Sequence, residues 1–219
     1  MDTAQYLLLG LPVLLLSFTV HEFMHAYVAL RQGDDTAYML GRVTLNPASH
    51  IDPIGSILFP AMGALTGAPL LGWARPVPTT PRNYRNFRRG DILVSLAGIA
   101  GNAILVVLFL TLIAVFVWVA RVAPAGAQES LDILQRMFQI GVVTNVGLIF
   151  FNLIPIPPLD GSRVLYHYLP PRAGAAFRQL DQYGWLMLWM LVIMGGFRFL
   201  GPVIWGTAGF LLGLVGLLV

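Results

Sequence analysis

Five stretches of this chain, about 6–30, 91–120, 130–152, 183–199 and 201–219, are apolar over roughly the 20 residues that a helix needs to cross a bilayer. Backbone in hydrocarbon must satisfy its own N–H and C=O groups, which leaves such stretches the helix as their spanning form. Composition agrees. Of 219 residues, 57% are hydrophobic and 11% are charged, and the mean hydropathy is +0.76. A soluble domain carries about 25% charged residues, so too few charges are present to cover a globular surface. The same numbers exclude disorder. The expected fold is an all-α polytopic membrane protein, one integral domain over 1–219. Its core spans about 6–172 and a C-terminal helical pair about 183–219. The lipid bilayer is then its first partner.

A sixth apolar segment, about 54–72, holds Pro60, Gly63, Gly67, Pro69 and Gly72. It is expected to be re-entrant or broken, not to cross. Arg42–Asn46 alternates around Val43 and Thr44, which predicts a short membrane-associated β element. Gly72–Asp91 carries five Arg together with Pro76, Pro78 and Pro81, and reads as extended chain and turns. All thirteen basic residues are Arg, spread thinly between apolar runs, so no nucleic-acid partner is expected. Cysteine is absent, which excludes disulfides, thiolate metal sites and Cys nucleophiles.

Within the first segment stands His21-Glu22-Phe23-Met24-His25, an H-E-x-x-H pattern. On a helix, positions i and i+4 share one face, so the two imidazoles can bind one zinc and Glu22 can reach a water beside it. Zinc lowers the pKa of such a water towards about 7, and a nearby carboxylate can take the proton. Three ionisable residues in five positions of a membrane segment need a reason, since each costs about 2.5–3.5 kcal/mol at the bilayer centre. Counting back from Arg31, the metal would lie roughly 9–15 Å inside the membrane boundary.

Catalytic zinc usually has three protein ligands and one open position. His50, His167 and the few carboxylates are candidates for the third, with Asp160 foremost. It closes Asn152-Leu153-Ile154-Pro155-Ile156-Pro157-Pro158-Leu159-Asp160-Gly161, where three Pro in four positions forbid a continuing helix. Irregular backbone at membrane depth belongs where it lines a cavity.

These two motifs resemble those of the site-2 protease family of intramembrane zinc metalloproteases. The likeness takes in Gly41–Ile54, Gly72–Pro81 and Ala97–Asn102, and covers roughly Val20–Gly161. Ile99 stands where the family pattern A-G-P-x-x-N has Pro. With no room for a PDZ or CBS domain, the chain is expected to be a minimal form. The resemblance implies one zinc per chain, held by His21, His25 and Asp160, with Glu22 as general base and acid. It also implies that Asn102 and Asn152 position substrate or stabilise the oxyanion. Asn145 reads as interhelical glue, and His50 and Asp52 as structural.

The implied activity is hydrolysis of a peptide bond in or near the transmembrane segment of a protein or peptide substrate. The alternative is a non-proteolytic metal-binding protein or ion transporter that uses the same cluster. One zinc shared by His25 and Asp160 requires an even number of crossings between them, as 91–120 and 130–152 supply if 54–72 does not cross. Ten Arg then face one side against Arg121, Arg136 and Arg198. By the positive-inside rule that side is cytoplasmic, and the site lies nearer the cytoplasmic face of an inner or plasma membrane.

Overall fold

The computed structural model describes residues 2–65 and 72–218. Among them the helices are α1 (Thr3–Gln32), the single turn α2 (Thr36–Met39), α3 (Phe59–Leu65), α4 (Phe87–Val122), α5 (Gln128–Asn152), α6 (Asp160–Tyr166), α7 (Pro171–Gln179), α8 (Gly184–Ile193) and α9 (Gly196–Leu218). Four are long and apolar enough to cross a membrane: α1, α4, α5 with the turn before it, and α9. At about 1.5 Å per residue, α1 runs roughly 45 Å and α4 roughly 54 Å, both longer than a hydrocarbon core of about 30 Å.

Helix α1 begins where the Asp2 carboxylate accepts the Gln5 N–H at 2.7 Å. It ends at Gly33, whose φ of 109° lets Asp34 N–H turn back to Ala29 O at 3.0 Å. Its Val13 enters a core built from Leu105, Val106, Phe109 and Ile113 of α4 and Phe138, Val142 and Val146 of α5, with Ala208 and Val215 of α9 completing it. Gly141 sets the closeness of α4 and α5, since a Cβ there would stand 2.7 Å from the Phe109 ring. Large apolar side chains such as Val107, Leu108 and Trp118 point outward, as a lipid-facing surface requires.

Two expectations change. The stretch 183–199 forms no single helix long enough to span: α8 has ten residues, about 15 Å, and stops at a turn in which Gly195 has φ 77°. No strand forms among the described residues, and 42–46 is a bent segment. There Asn46 N–H bonds to Thr44 Oγ1 at 3.1 Å, so a side chain takes the donor that a ladder would need. The described part of 54–72 is a π-helical turn, Pro53–Leu58, running into α3. Residues 66–71, with Gly67 and Pro69, lie outside the described residues. Pro53–Leu65 is short for a span.

Gly72–Thr80 is extended and lies against this turn. Trp73 N–H bonds Gly55 O at 3.1 Å, and its indole rests on Gly55, where a Cβ would overlap the ring. The far end is tied by Asp34, which is fully buried just beyond α1. One of its oxygens accepts Thr80 N–H at 2.6 Å, and the other accepts from Thr36 and from Asn83 Nδ2 at 3.1 Å. Burial opposes ionisation of Asp34, but these hydrogen bonds outweigh it and hold its carboxyl below the usual range. The stability Asp34 contributes is therefore full above the ordinary carboxylate range and is lost as pH falls through its own lower value. Asp34→Ala should lower stability by about 2–4 kcal/mol, because it strands buried N–H donors. Thermal unfolding in detergent from about pH 7 to about pH 3 should show the difference between wild type and variant shrinking on the acid side. A constant difference would mean that the carboxylate is not the tie.

Candidate metal centre

His21 and His25 lie one helical turn apart on the buried face of α1, with their Nε2 atoms 3.0 Å apart. Asp160 is the first residue of α6, and its Oδ2 stands 3.3 Å from His21 Nε2 and 3.4 Å from His25 Nε2. The proline-rich return after α5 brings it there. Leu159 N–H bonds Ile156 O at 2.9 Å, a tight turn that aims α6 back at α1. Gly161 is required by closeness, because a Cβ there would overlap the Leu153 carbonyl.

The three ligand atoms converge as acceptors. His25 Nδ1 lies 2.7 Å from Val94 O, and since a carbonyl only accepts, Nδ1 carries a proton, which in the neutral imidazole leaves Nε2 its lone pair. Asp160 Oδ2 is buried with no hydrogen-bond donor. Such atoms repel unless a cation stands among them. Two imidazoles and one carboxylate are a donor set that zinc favours. Among the described residues these three form the one such group.

Helix α4 backs all three ligands. Asn102 Oδ1 meets His21 Nδ1 at 2.7 Å, and Val94 holds His25. Gly98 lies between, and a Cβ on it would overlap both imidazoles. Asp91 Oδ2 bonds His167 Nε2 at 2.7 Å, which pins the far end of α6 and so the place of Asp160. Asp91, Val94, Gly98 and Asn102 recur at three- and four-residue spacing, one stripe of one helix. That periodicity was the signal available for Asp91 and Gly98, which the motifs alone do not reveal.

Glu22 projects into a cavity of roughly 480 Å³ that the metal ligands also line. Its Oε2 accepts Val77 N–H at 2.7 Å. The walls are mostly apolar, with Phe18, Trp73, Leu148 and Trp189 among them. Asn152 is part of the wall, its Nδ2 donating to Leu148 O at 3.0 Å. Asn102 is not: it is fully buried behind His21, with its Nδ2 donating to Asn145 Oδ1 at 2.8 Å. His50 bonds Thr44 O at 2.9 Å and Asp52 caps the turn at Ile54 and Gly55, so neither joins the cluster.

Residues 9–195 match the model of peptidase family M50. A Bacillus subtilis (strain 168) protein that carries the name zinc metalloprotease YwhC is 39% identical over 180 residues, covering 82% of this chain and 78% of that one. Proteins named zinc metalloprotease Rip2 are also similar. The one from Mycolicibacterium smegmatis is 32% identical over 82% of this chain and 64% of its own length. That from Mycobacterium tuberculosis (strain ATCC 25618 / H37Rv) is 31% identical over 87% of this chain and 70% of its own. No solved structure matches the chain.

Gly98→Ala should reduce zinc affinity by about 10–100-fold, the scale seen when support behind metal ligands is disturbed. Gly209→Ala, where a Cβ meets nothing within 4 Å, should leave it unchanged. Zinc per chain after dialysis against a buffered chelator separates the two, and equal retention would mean that Gly98 does not shape the site.

Proposed function

The chain belongs to peptidase family M50 and is a zinc metalloprotease with membrane-spanning helices, and from that premise we propose that it cuts peptide bonds in or near the transmembrane segments of membrane proteins. One observation carries the reading: three buried ligand atoms and the Glu22 carboxylate meet at the wall of an apolar cavity. His21, His25 and Asp160 would hold the zinc. Bound there, zinc supplies a Lewis acid that polarises the scissile carbonyl and acidifies a water. Glu22, fixed through Oε2 by Val77, takes the proton of the attacking water at Oε1 and returns one to the leaving amine. Asn152, in the wall, is placed to donate to the substrate, whereas Asn102 acts behind His21 as a positioning residue.

A transmembrane helix must unwind before its amide can react. The extended segment at Trp73–Val77 suits that need. Trp73 and Arg75 direct their N–H groups to Gly55 O and to His50 O, at 3.1 and 2.8 Å. The intervening Ala74 lines the cavity and makes no backbone bond among the described residues. An unwound substrate segment can pair with Ala74 as an added strand.

The protease acts as a single integral domain with four spans. Zinc shared between α1 and α6 puts the C-terminal ends of α1 and α5 on one side. Arg31, Arg42, Arg75, Arg82, Arg85, Arg88, Arg89, Arg163, Arg172 and Arg178 face that side, and Arg198 joins them because α8 does not cross. The positive-inside rule makes it cytoplasmic. Single cysteines at Thr36 and Asn83 should therefore label from the same, cytoplasmic face. Labelling from opposite faces would contradict a shared zinc.

Incubation of the purified protein with a transmembrane substrate tests the activity. Cleavage should stop on addition of a zinc chelator and resume with zinc. Glu22→Gln should keep its zinc while cleavage falls by about 10²–10⁴-fold, the usual contribution of general acid–base catalysis. Near wild-type cleavage by that variant would remove Glu22 from the mechanism, and chelator-resistant cleavage would remove zinc.

A further inference from the structure

His25 is held by a carbonyl, which can only accept, so its proton is fixed on Nδ1. His21 has no such simple partner. Asn102 stands 2.7 Å from its Nδ1, and an amide can present either its oxygen or its NH2 group in nearly the same shape. Had the NH2 group faced Nδ1, the imidazole proton would move to Nε2 and point at the metal position. Half a turn of one side chain separates a ligand from a non-ligand.

We infer that Ser17 and Asn145, neither of which lines the cavity, set the tautomer of His21 by dictating which way Asn102 faces; this rests on the reading of His21 as a zinc ligand. The direction begins at two backbone carbonyls. Val13 O takes the Ser17 O–H at 2.8 Å, which leaves Ser17 Oγ only lone pairs for its other neighbour. That neighbour is Asn145 at 2.9 Å, and the same atom of Asn145 lies 2.8 Å from Gly141 O. Both demand a donor, so the NH2 group of Asn145 points there and its Oδ1 points to Asn102. An amide oxygen only accepts, so Asn102 turns its own NH2 group to Asn145 at 2.8 Å and towards Ser17 O at 3.4 Å. Asn102 Oδ1 is left for His21, whose Nδ1 must donate and whose Nε2 is free to bind metal. Ser17, Asn102 and Asn145 are each 0% exposed, so bulk water cannot reverse the order. α1, α4 and α5 each contribute a link, and their packing registers as the protonation pattern of one imidazole.

The test reads the tautomer directly, from the imidazole 15N shifts of metal-free protein labelled at its four histidines. Wild-type His21 should be the Nδ1–H form. In Asn145→Ala the vacated space or a water can accept as readily as donate. The Nε2–H form should then appear and zinc affinity should fall about tenfold or more. Adding Asn102→Asp to Asn145→Ala should restore both, because a carboxylate accepts from Nδ1 through either oxygen and needs no orientation. Loss of packing alone would not be repaired that way. An Nε2–H form in the wild type overturns the inference. So does an unchanged tautomer in Asn145→Ala, or failure of the double variant to recover. If Asn145→Ala does not fold, Asn145→Leu removes the same amide while filling its volume, and a His21 tautomer unmoved there overturns it equally. An Nδ1–H form in a wild-type chain that binds no zinc would support the relay and sink the metal assignment instead.

Discussion

The imidazoles of His21 and His25 and the Oδ2 atom of Asp160 are buried among apolar helices, and each needs a partner that bulk water does not supply. Helix α4 provides most of them. Val94 O and Asn102 Oδ1 face the Nδ1 atoms of the two histidines, Gly98 makes room for their rings, and Asp91 secures α6 through His167. The ligands therefore come from α1 and α6, while their geometry is decided by the helix between them. The three-helix packing of α1, α4 and α5 around Phe109, Phe138 and Val142 holds that stripe in register.

The reactive side of the centre has a second support. Asp34 ties Thr80 to the end of α1, the indole of Trp73 lies on Gly55, and between these anchors Val77 N–H reaches Glu22. One extended segment thus orients the proposed base and walls the cavity. Its rigidity comes from a buried carboxylate beyond α1 and a close contact that only glycine permits. Helix α8 meets this segment and the start of α3 through rings, Trp185 on Trp73 and Trp189 on Phe59, at 5.5 and 5.7 Å between centroids.

What the sequence made legible was local. His21, Glu22 and His25 follow from a spacing within one helix, and the break before Asp160 follows from prolines whose rings forbid helix. Long apolar runs marked α1, α4, α5 and α9. Apolarity did not distinguish α8 from a span, because it does not register the turn at Gly195. Alternation at Arg42–Asn46 described side-chain faces but not whether a partner strand exists, and Thr44 took the donor instead. Asn102 was singled out by resemblance, yet its place behind His21 depends on Asn145 and Ser17, 43 and 85 residues away. The Asp91–His167 pair, 76 residues apart, left no mark in either neighbourhood.

The central claim is that two imidazoles from α1 and one carboxylate from α6 share a single zinc. X-ray absorption at the zinc edge of the purified, zinc-loaded chain tests it most directly. The account predicts one zinc per chain with two imidazoles at about 2.0–2.1 Å and oxygen completing the shell at about 2.0–2.2 Å. A shell with three imidazoles would bring in His50 or His167, and a shell with one would separate His21 from His25; either would contradict it.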